Sequence, residues 1–207
     1  MKPPRAHDHR LAVAGFVPAS RANGPGVRVA LWVQGCSIGC PGCFNPSTHA
    51  SVEAMQPVSE LATQILAAVR PDTVGVTFSG GEPFEQAVAL SDLARRLRDR
   101  WPEGTLMVYT GYRLQHLRSE AAPPGSADLL AFVDHLVDGP YDARSPVGAS
   151  WRASSNQRLW VLGRPLPEPG DEDADGHIGE LHLMADGTVV LSGILGGDLK
   201  KAVESVS

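Results

Sequence analysis

The apolar positions of this chain fall into short blocks whose spacing switches between that of strands and that of helices. Val27 to Val33 is an almost wholly apolar run, the pattern of a strand covered on both faces. Leu61, Ile65, Leu66 and Val69 recur at helical spacing and predict a helix capped by Ser59 and ended near Arg70 by Pro71. Thr73 to Phe78 returns to a strand, and Pro83 precedes a longer helical pattern carrying Phe84, Ala87, Val88, Ala94, Leu97 and Trp101. Thr105 to Tyr109 is a third strand. A short helical stretch around Leu114 to Arg118 runs into the breakers Pro123-Pro124-Gly125, after which Ser126 caps a helix with Leu129, Leu130 and Val133. His135 to Val137 and Gln157 to Leu162 supply the fourth and fifth strands. Glu180 to Ile194, alternating around Asp186-Gly187, predicts a terminal β-hairpin.

Strands alternating with helices imply a parallel sheet with right-handed crossovers. The 207 residues fall short of a full eight-stranded barrel, which typically takes about 250. The expected fold is therefore α/β, an incomplete TIM-like parallel barrel of about five to six strands with a C-terminal hairpin. In such folds chemistry collects at the C-terminal ends of the strands, and the unusual polar or cysteine-bearing segments follow Val33, Phe78, Tyr109 and Val137. Periodicity is weak up to Ala22, and Asn23-Gly24-Pro25-Gly26 is a strong turn signal. Residues 1–22 are accordingly expected to be an N-terminal extension and 23–207 a single domain, with the acidic, Pro-rich stretch Pro165 to Gly176 as a solvated loop.

Charge narrows the partners. Lys and Arg number 18 against 23 Asp and Glu, and the net charge of −5 argues against a nonspecific grip on a phosphate backbone. The polar, basic N-terminus has no apolar segment behind it and no apolar run approaches membrane-spanning length, so a cytoplasmic protein with no membrane partner is expected. The three cysteines, Cys36, Cys40 and Cys43, all lie within eight residues. An odd, clustered trio is no disulfide framework and reads as metal ligands or redox thiols.

The spacing Cys36-x3-Cys40-x2-Cys43 sits on a loop broken by Gly35, Gly39, Pro41 and Gly42, which frees three thiolates to converge on one centre. Three soft ligands suit zinc or an iron-sulfur cluster. In the zinc reading His49 completes a tetrahedral site that staples the loop, and the protein is a non-enzymatic binding module. In the cluster reading a cubane held by three thiolates leaves one iron open, as catalysis needs. Ser79-Gly80-Gly81-Glu82-Pro83 is either an ordinary strand-to-helix turn or a place where backbone approaches a ligand closely and Glu82 accepts from a cationic ammonium.

The cysteine spacing at the top of a first strand resembles the signature of radical S-adenosylmethionine (SAM) enzymes. The longer strings Asn23-Gly24-Pro25-Gly26-Val27-Arg28, Trp32-Val33-Gln34-Gly35-Cys36 and Cys40-Pro41-Gly42-Cys43-Phe44-Asn45 are similar to the activating enzymes of anaerobic (class III) ribonucleotide reductases, within the glycyl radical enzyme activases. Many superfamily members place an aromatic residue just before the third cysteine; here Gly42 stands there and Phe44 follows, as in the activases. The resemblance covers Asn23 to Arg158. It implies one 4Fe-4S cluster on Cys36, Cys40 and Cys43, with SAM chelated by the fourth iron and reductively cleaved to methionine and a 5′-deoxyadenosyl radical. That radical takes a hydrogen atom from a backbone glycine of the partner and leaves a stored glycyl radical.

The resemblance further implies that Gly42, Phe44 and Asn45 face the cofactors, and that Ser79, Gly80, Gly81 and Glu82 bind the methionyl ammonium. It also implicates Thr110 in Tyr109-Thr110-Gly111-Tyr112, Asp138 in Leu136 to Tyr141, and Asn156 with Arg158 in Ser154 to Arg158. Read without it, these are a buried strand end, a turn cap and a polar loop. The implied partners are an anaerobic ribonucleotide reductase, entering through the barrel's lateral opening, and a flavodoxin or ferredoxin electron donor. A radical SAM activity on a peptide or small metabolite is the alternative within the superfamily.

Overall fold

The computed structural model describes residues 8–149, 151–166, 179–184 and 187–193. Six strands form its main sheet: β1 (Val13–Ser20), β2 (Val27–Val33), β3 (Thr73–Gly80), β4 (Thr105–Thr110), β5 (His135–Asp138) and β6 (Arg158–Val161), side by side in the order β6-β5-β4-β3-β2-β1. The pairs from β2 to β5 are parallel, whereas β1 and β6 run antiparallel to their neighbours. The sheet is thus mixed, and among the described residues it does not close on itself.

The two antiparallel edges depart from the sequence expectation. A parallel return from β5 would need a crossover, usually a helix. The segment between β5 and β6 instead folds into a small ribbon, Pro146–Ala149 paired with Arg152–Ser154, so the chain re-enters the sheet in the opposite sense. Residues 8–22 are not merely an extension, because β1 pairs along β2 and buries Val17, while Leu11, in the short stretch Arg10–Leu11 that pairs with Gln56–Pro57, joins the core. The periodicity of β1 is masked by Gly15 and Pro18, which lie at the two register shifts of its pairing with β2. Proline is tolerated at such irregularities of an edge strand, where a missing N–H disturbs no ladder.

Helix α1 (Val58–Ala68) follows β2, α2 (Ala87–Arg100) follows β3, and α3 (Leu114–Leu117) and α4 (Ser126–Leu130) both lie between β4 and β5. Val29, Leu31 and Val33 of β2, Val76 and Phe78 of β3 and Val108 of β4 form one buried cluster with Leu61 and Ile65 of α1 and Leu90, Leu93 and Leu97 of α2. No helix among the described residues is long and apolar enough to cross a membrane. Some helix-start expectations shift. Ser59 lies inside α1, and its amide and hydroxyl both donate to the Asp8 carboxylate (3.1 and 2.6 Å), so the cap comes from a distant segment. Gly125, not Ser126, occupies the cap position of α4, in a left-handed conformation that favours glycine. Val88 faces solvent.

Alternate residues of the strands face the other way, and on that face β2 carries a fully buried arginine, Arg28, within a run read as apolar. Its five N–H donors meet five acceptors: Nε donates to Thr77 Oγ1 (2.8 Å), Nη1 to Thr105 Oγ1 and the Pro25 carbonyl, Nη2 to the carbonyls of Val76 and Thr105. Burial lowers its pKa to about 10, so the guanidinium stays charged at neutral pH. Arg28 therefore bolts together the N-terminal ends of β2, β3 and β4. Gly24 is required beside it, since a Cβ there would stand 2.5 Å from the Met107 sulfur and 2.9 Å from Arg28 Cδ. Arg28→Met is expected to lower the unfolding free energy by on the order of 3–5 kcal/mol, because several buried acceptors lose their donors at once. Urea titration of the cluster-free chain measures it.

The terminal hairpin consists of β7 (Gly179–Leu183) and β8 (Val189–Gly193); Asp186 and Ile194, expected in it, lie outside the described residues, as does most of the acidic loop. Val190 packs on Val17, Ala30 and Trp32, and the Glu180 carboxylate accepts from Ser20 Oγ and from the amides of Arg21 (2.8 Å) and Ala22 (3.3 Å). The hairpin is thereby fastened to the turn between β1 and β2.

Candidate metal centre

Parallel pairing brings the C-terminal ends of β2 to β5 to one edge of the sheet, with Val33 opposite Gly80 and Thr110 opposite Asp138. The four loops that leave this edge are those singled out in the sequence. Cys36, Cys40 and Cys43 lie on the first as free, partly exposed thiols. Burial raises the pKa of Cys36 and of Cys43, so both are thiols until a cation favours the thiolate.

Two turns grip this loop from opposite sides. On one, the Gly35 amide donates to the Thr48 carbonyl (2.8 Å), the Cys36 amide to the His49 carbonyl (3.1 Å), and Gln34 Nε2 to the carbonyls of Ser47 and Ala50. His49 thus serves through its backbone. Among the described residues no group of three or more Cys, His, Asp or Glu side chains is drawn together around one point, the three cysteines included, so this geometry favours neither a histidine-closed zinc site nor a cluster.

On the other side stands the turn after β3. The Gly81 amide donates to the Val33 carbonyl and the Glu82 amide to the Gly35 carbonyl, both at 2.8 Å, and Gln86 Nε2 to the Gln34 carbonyl at 3.0 Å. The paired glycines permit this approach. A Cβ on Gly81 would stand 2.2 Å from the Gly35 carbonyl oxygen, and one on Gly80, whose φ is +99°, 2.7 Å from the backbone of Val33. What the Gly-Gly backbone meets so closely is the root of the cysteine loop.

Glu82 is 1% exposed. Its carboxylate accepts from the Phe84 amide (2.9 Å), the Thr110 hydroxyl (2.7 Å) and the Gly111 amide (2.8 Å), and burial pushes its pKa up to about 7. Glu82 and Thr110 therefore meet each other, beneath the open surface. Asp138 is equally hidden: one oxygen accepts from the Leu114 amide at the start of α3 (2.7 Å), and the other stands 3.7 Å from the Arg113 guanidinium. These are the contacts of a turn cap.

The other expected residues lie nearer the surface. Gly42, with φ of +75°, brings its backbone so near the loop after β5 that a Cβ would stand 3.0 Å from Ala143 Cβ, and the Phe44 ring packs on Tyr141 with centroids 4.7 Å apart. Asn45 accepts through its carbonyl from Thr48, and its amide approaches Cys43 Sγ at 3.4 Å. Ser79 is half-buried at the end of β3, and Arg158 is exposed. Asn156 donates to the Pro140 carbonyl (2.7 Å) and its own carbonyl accepts from Arg113, while its side-chain oxygen is buried without a hydrogen bond. Arg113, Glu85 and Gln86 were missed in the sequence, where nothing in their spacing distinguishes them from surface polar residues.

Residues 22–160 match the family described as a 4Fe-4S single cluster domain. Over 149 residues, covering 69% of this chain and 89% of the relative, the sequence is 34% identical to the anaerobic ribonucleoside-triphosphate reductase-activating protein of Enterobacteria phage T4. The chain belongs to this activating-protein family. The member from Escherichia coli strain K12 is 35% identical over 150 residues, 69% of this chain and 93% of the relative, and that from Vibrio cholerae 32% over 148 residues, 69% and 92%. The hairpin of β7 and β8 lies beyond the matched cluster domain.

The residues of this activating-protein domain fit a cluster chemically. Its three cysteines are soft donors on one loop with no disulfide between them. Gly35 and Gly39 have left-handed φ values of +101° and +58° with open space where a Cβ would be, so the loop has room beside it.

Proposed function

We propose that this chain is a radical SAM activase that installs a glycyl radical on an anaerobic ribonucleotide reductase. The observation that carries the reading is a loop of three free thiols, rooted between two turns at the C-terminal edge of the parallel strands, inside a matched 4Fe-4S domain. Cys36, Cys40 and Cys43 would hold the cluster, and SAM would bind beside it at the same edge of the sheet. When bound, the cluster and SAM supply reductive cleavage of a carbon-sulfur bond and a 5′-deoxyadenosyl radical, chemistry beyond amino-acid side chains. Phe44 and Tyr141 form an aromatic wall beside the third cysteine, and Gly42 keeps the backbone low there. The Asn156 side-chain oxygen, buried and lacking a donor, suits a hydroxyl or amine of the nucleoside. Glu82 and Thr110 work from beneath by fixing the loops.

The open sheet, read as part of a barrel, leaves a side through which the reductase's glycine-bearing loop enters, and docking excludes water from the radical. A flavodoxin or ferredoxin delivers the electron. The activase names of the relatives support the reductase as partner. Anaerobically reconstituted, reduced protein is expected to convert SAM to methionine and 5′-deoxyadenosine. With an anaerobic ribonucleotide reductase present it should yield a glycyl radical in electron paramagnetic resonance. Cleavage without that signal would move the substrate to a peptide or metabolite, and colourless protein retaining zinc would end the radical reading.

A further inference from the structure

The cysteine loop is rooted chiefly upstream of its first ligand, through Val33, Gln34, Gly35 and the amide of Cys36. Immediately after Cys36 a single side chain takes over. The Ser37 amide donates to both carboxylate oxygens of Glu85 at 3.1 Å, and the Ser37 hydroxyl donates to Glu85 Oε1. Glu85 itself is fixed from two directions. It belongs to the tight turn Pro83–Gln86, held at one end by buried Glu82 and at the other by Gln86, which exchanges hydrogen bonds with the backbone of Ala12 (2.8 and 3.2 Å). The Tyr112 hydroxyl also reaches Glu85 Oε1, at 3.4 Å, and its ring stacks on His116 with centroids 5.1 Å apart.

We propose that Glu85 is a positioning residue for the iron-sulfur cluster: by gripping the amide and hydroxyl of Ser37, it fixes the peptide that follows Cys36 and the direction in which that thiolate is presented. A carboxylate that accepts from an amide and a hydroxyl of one residue forms charge-assisted bonds with defined geometry. The next packing contact along the loop is Ile38 against Gly111, where a Cβ on the glycine would stand 2.6 Å from Ile38 Cδ1. Without Glu85, the segment from Ser37 to Cys40 loses its polar anchor and Cys36 its fixed exit. The inference rests on the 4Fe-4S cluster and not on SAM, so it is tested with SAM absent.

Wild type, Glu85→Ala, Glu85→Gln, Ser37→Ala and the Glu85→Ala/Ser37→Ala pair are reconstituted anaerobically. The rate of iron transfer to a ferrous chelator is then compared with the thermal midpoint of each cluster-free chain. Glu85→Ala is expected to lose iron about tenfold faster, the scale of a lost charge-assisted contact beside a metal ligand. Because Glu85 is exposed, its cluster-free midpoint should match wild type. Glu85→Gln keeps an acceptor oxygen and should recover most of the retention. Ser37→Ala keeps the amide bond and should lose iron about two- to threefold faster. The double variant should be no faster than Glu85→Ala, because both changes remove one interaction. Wild-type iron loss in Glu85→Ala, multiplication of the single effects in the double variant, or a cluster-free midpoint falling in step with retention overturns the proposal. None of these outcomes touches SAM cleavage, whose absence in protein with normal iron retention would count against the functional reading alone.

Discussion

Replacing Cys36, Cys40 or Cys43 by serine, one at a time, is expected to leave a protein that folds but neither holds its iron nor cleaves SAM. Each change removes one of only three soft donors, and an alcohol does not ionise to take its place. Losing a partner that merely orients a ligand costs a metal site roughly 10–100-fold in affinity or activity, and losing the ligand itself should cost more. The folded chain should barely register the change. All three thiols are partly exposed, and surface changes of this kind usually stay within about 0.5 kcal/mol. Iron and sulfide per chain, visible absorbance and the urea midpoint of the cluster-free protein measure the two effects separately. A serine variant that keeps a full cluster and its activity removes that cysteine from the ligand set.

The cysteines were legible because metal chemistry constrains residue type as well as position, and nothing else in a chain of ordinary composition demands three thiols in eight residues. The parallel strands were legible for a related reason: β2 is buried along its whole length and reads as an almost wholly apolar run, and apolar residues fill many of the buried positions of β3 and β4. The edge strand β1 lacks that mark, since Gly15 and Pro18 break it where its neighbour's ladder is already irregular. Direction is less legible still. The residues of β6 read as a strand in either sense, and only the ribbon formed before it turns the chain antiparallel.

One string of residues also served two ends of the molecule. Asn23 to Arg28 and Cys36 to Asn45 follow each other closely in sequence, yet they lie at opposite ends of β2. The first group lies at the N-terminal edge, where Gly24 makes room for Arg28 and Arg28 ties three strands. The second lies at the opposite edge with the thiols. A shared motif thus combines a structural bolt with a reactive loop. Composition hinted at neither the burial of Arg28 nor that of Glu82, because a charged residue in a polar turn or at a strand end ordinarily faces water.

Glu82→Ala should be among the most damaging changes outside the cysteines. It strips acceptors from the buried Phe84 amide and Thr110 hydroxyl and from the half-buried Gly111 amide, and unpartnered buried donors cost about 1–3 kcal/mol each. A loss on the order of 3–5 kcal/mol is expected, together with weakened iron retention, since the Glu82 amide and its turn hold the root of the cysteine loop. Glu82→Gln, of the same shape, separates charge from packing. Burial pushes the Glu82 carboxyl from 4.5 up to about 7, so between those pH values the folded chain keeps a proton that the unfolded chain has released. Stability from this group is then fully present below about pH 4.5 and falls as pH rises to about 7, by at most about 3 kcal/mol. Glu82→Gln lacks that titration, whereas the other carboxyls are common to both chains and cancel in the difference. In urea titrations from pH 5 to 8, the stability advantage of wild type over Glu82→Gln should shrink as pH rises and level off above 7. An advantage that grows with pH would mean that the three donors hold Glu82 ionised inside the fold, and that hydrogen bonding outweighs burial at this carboxylate.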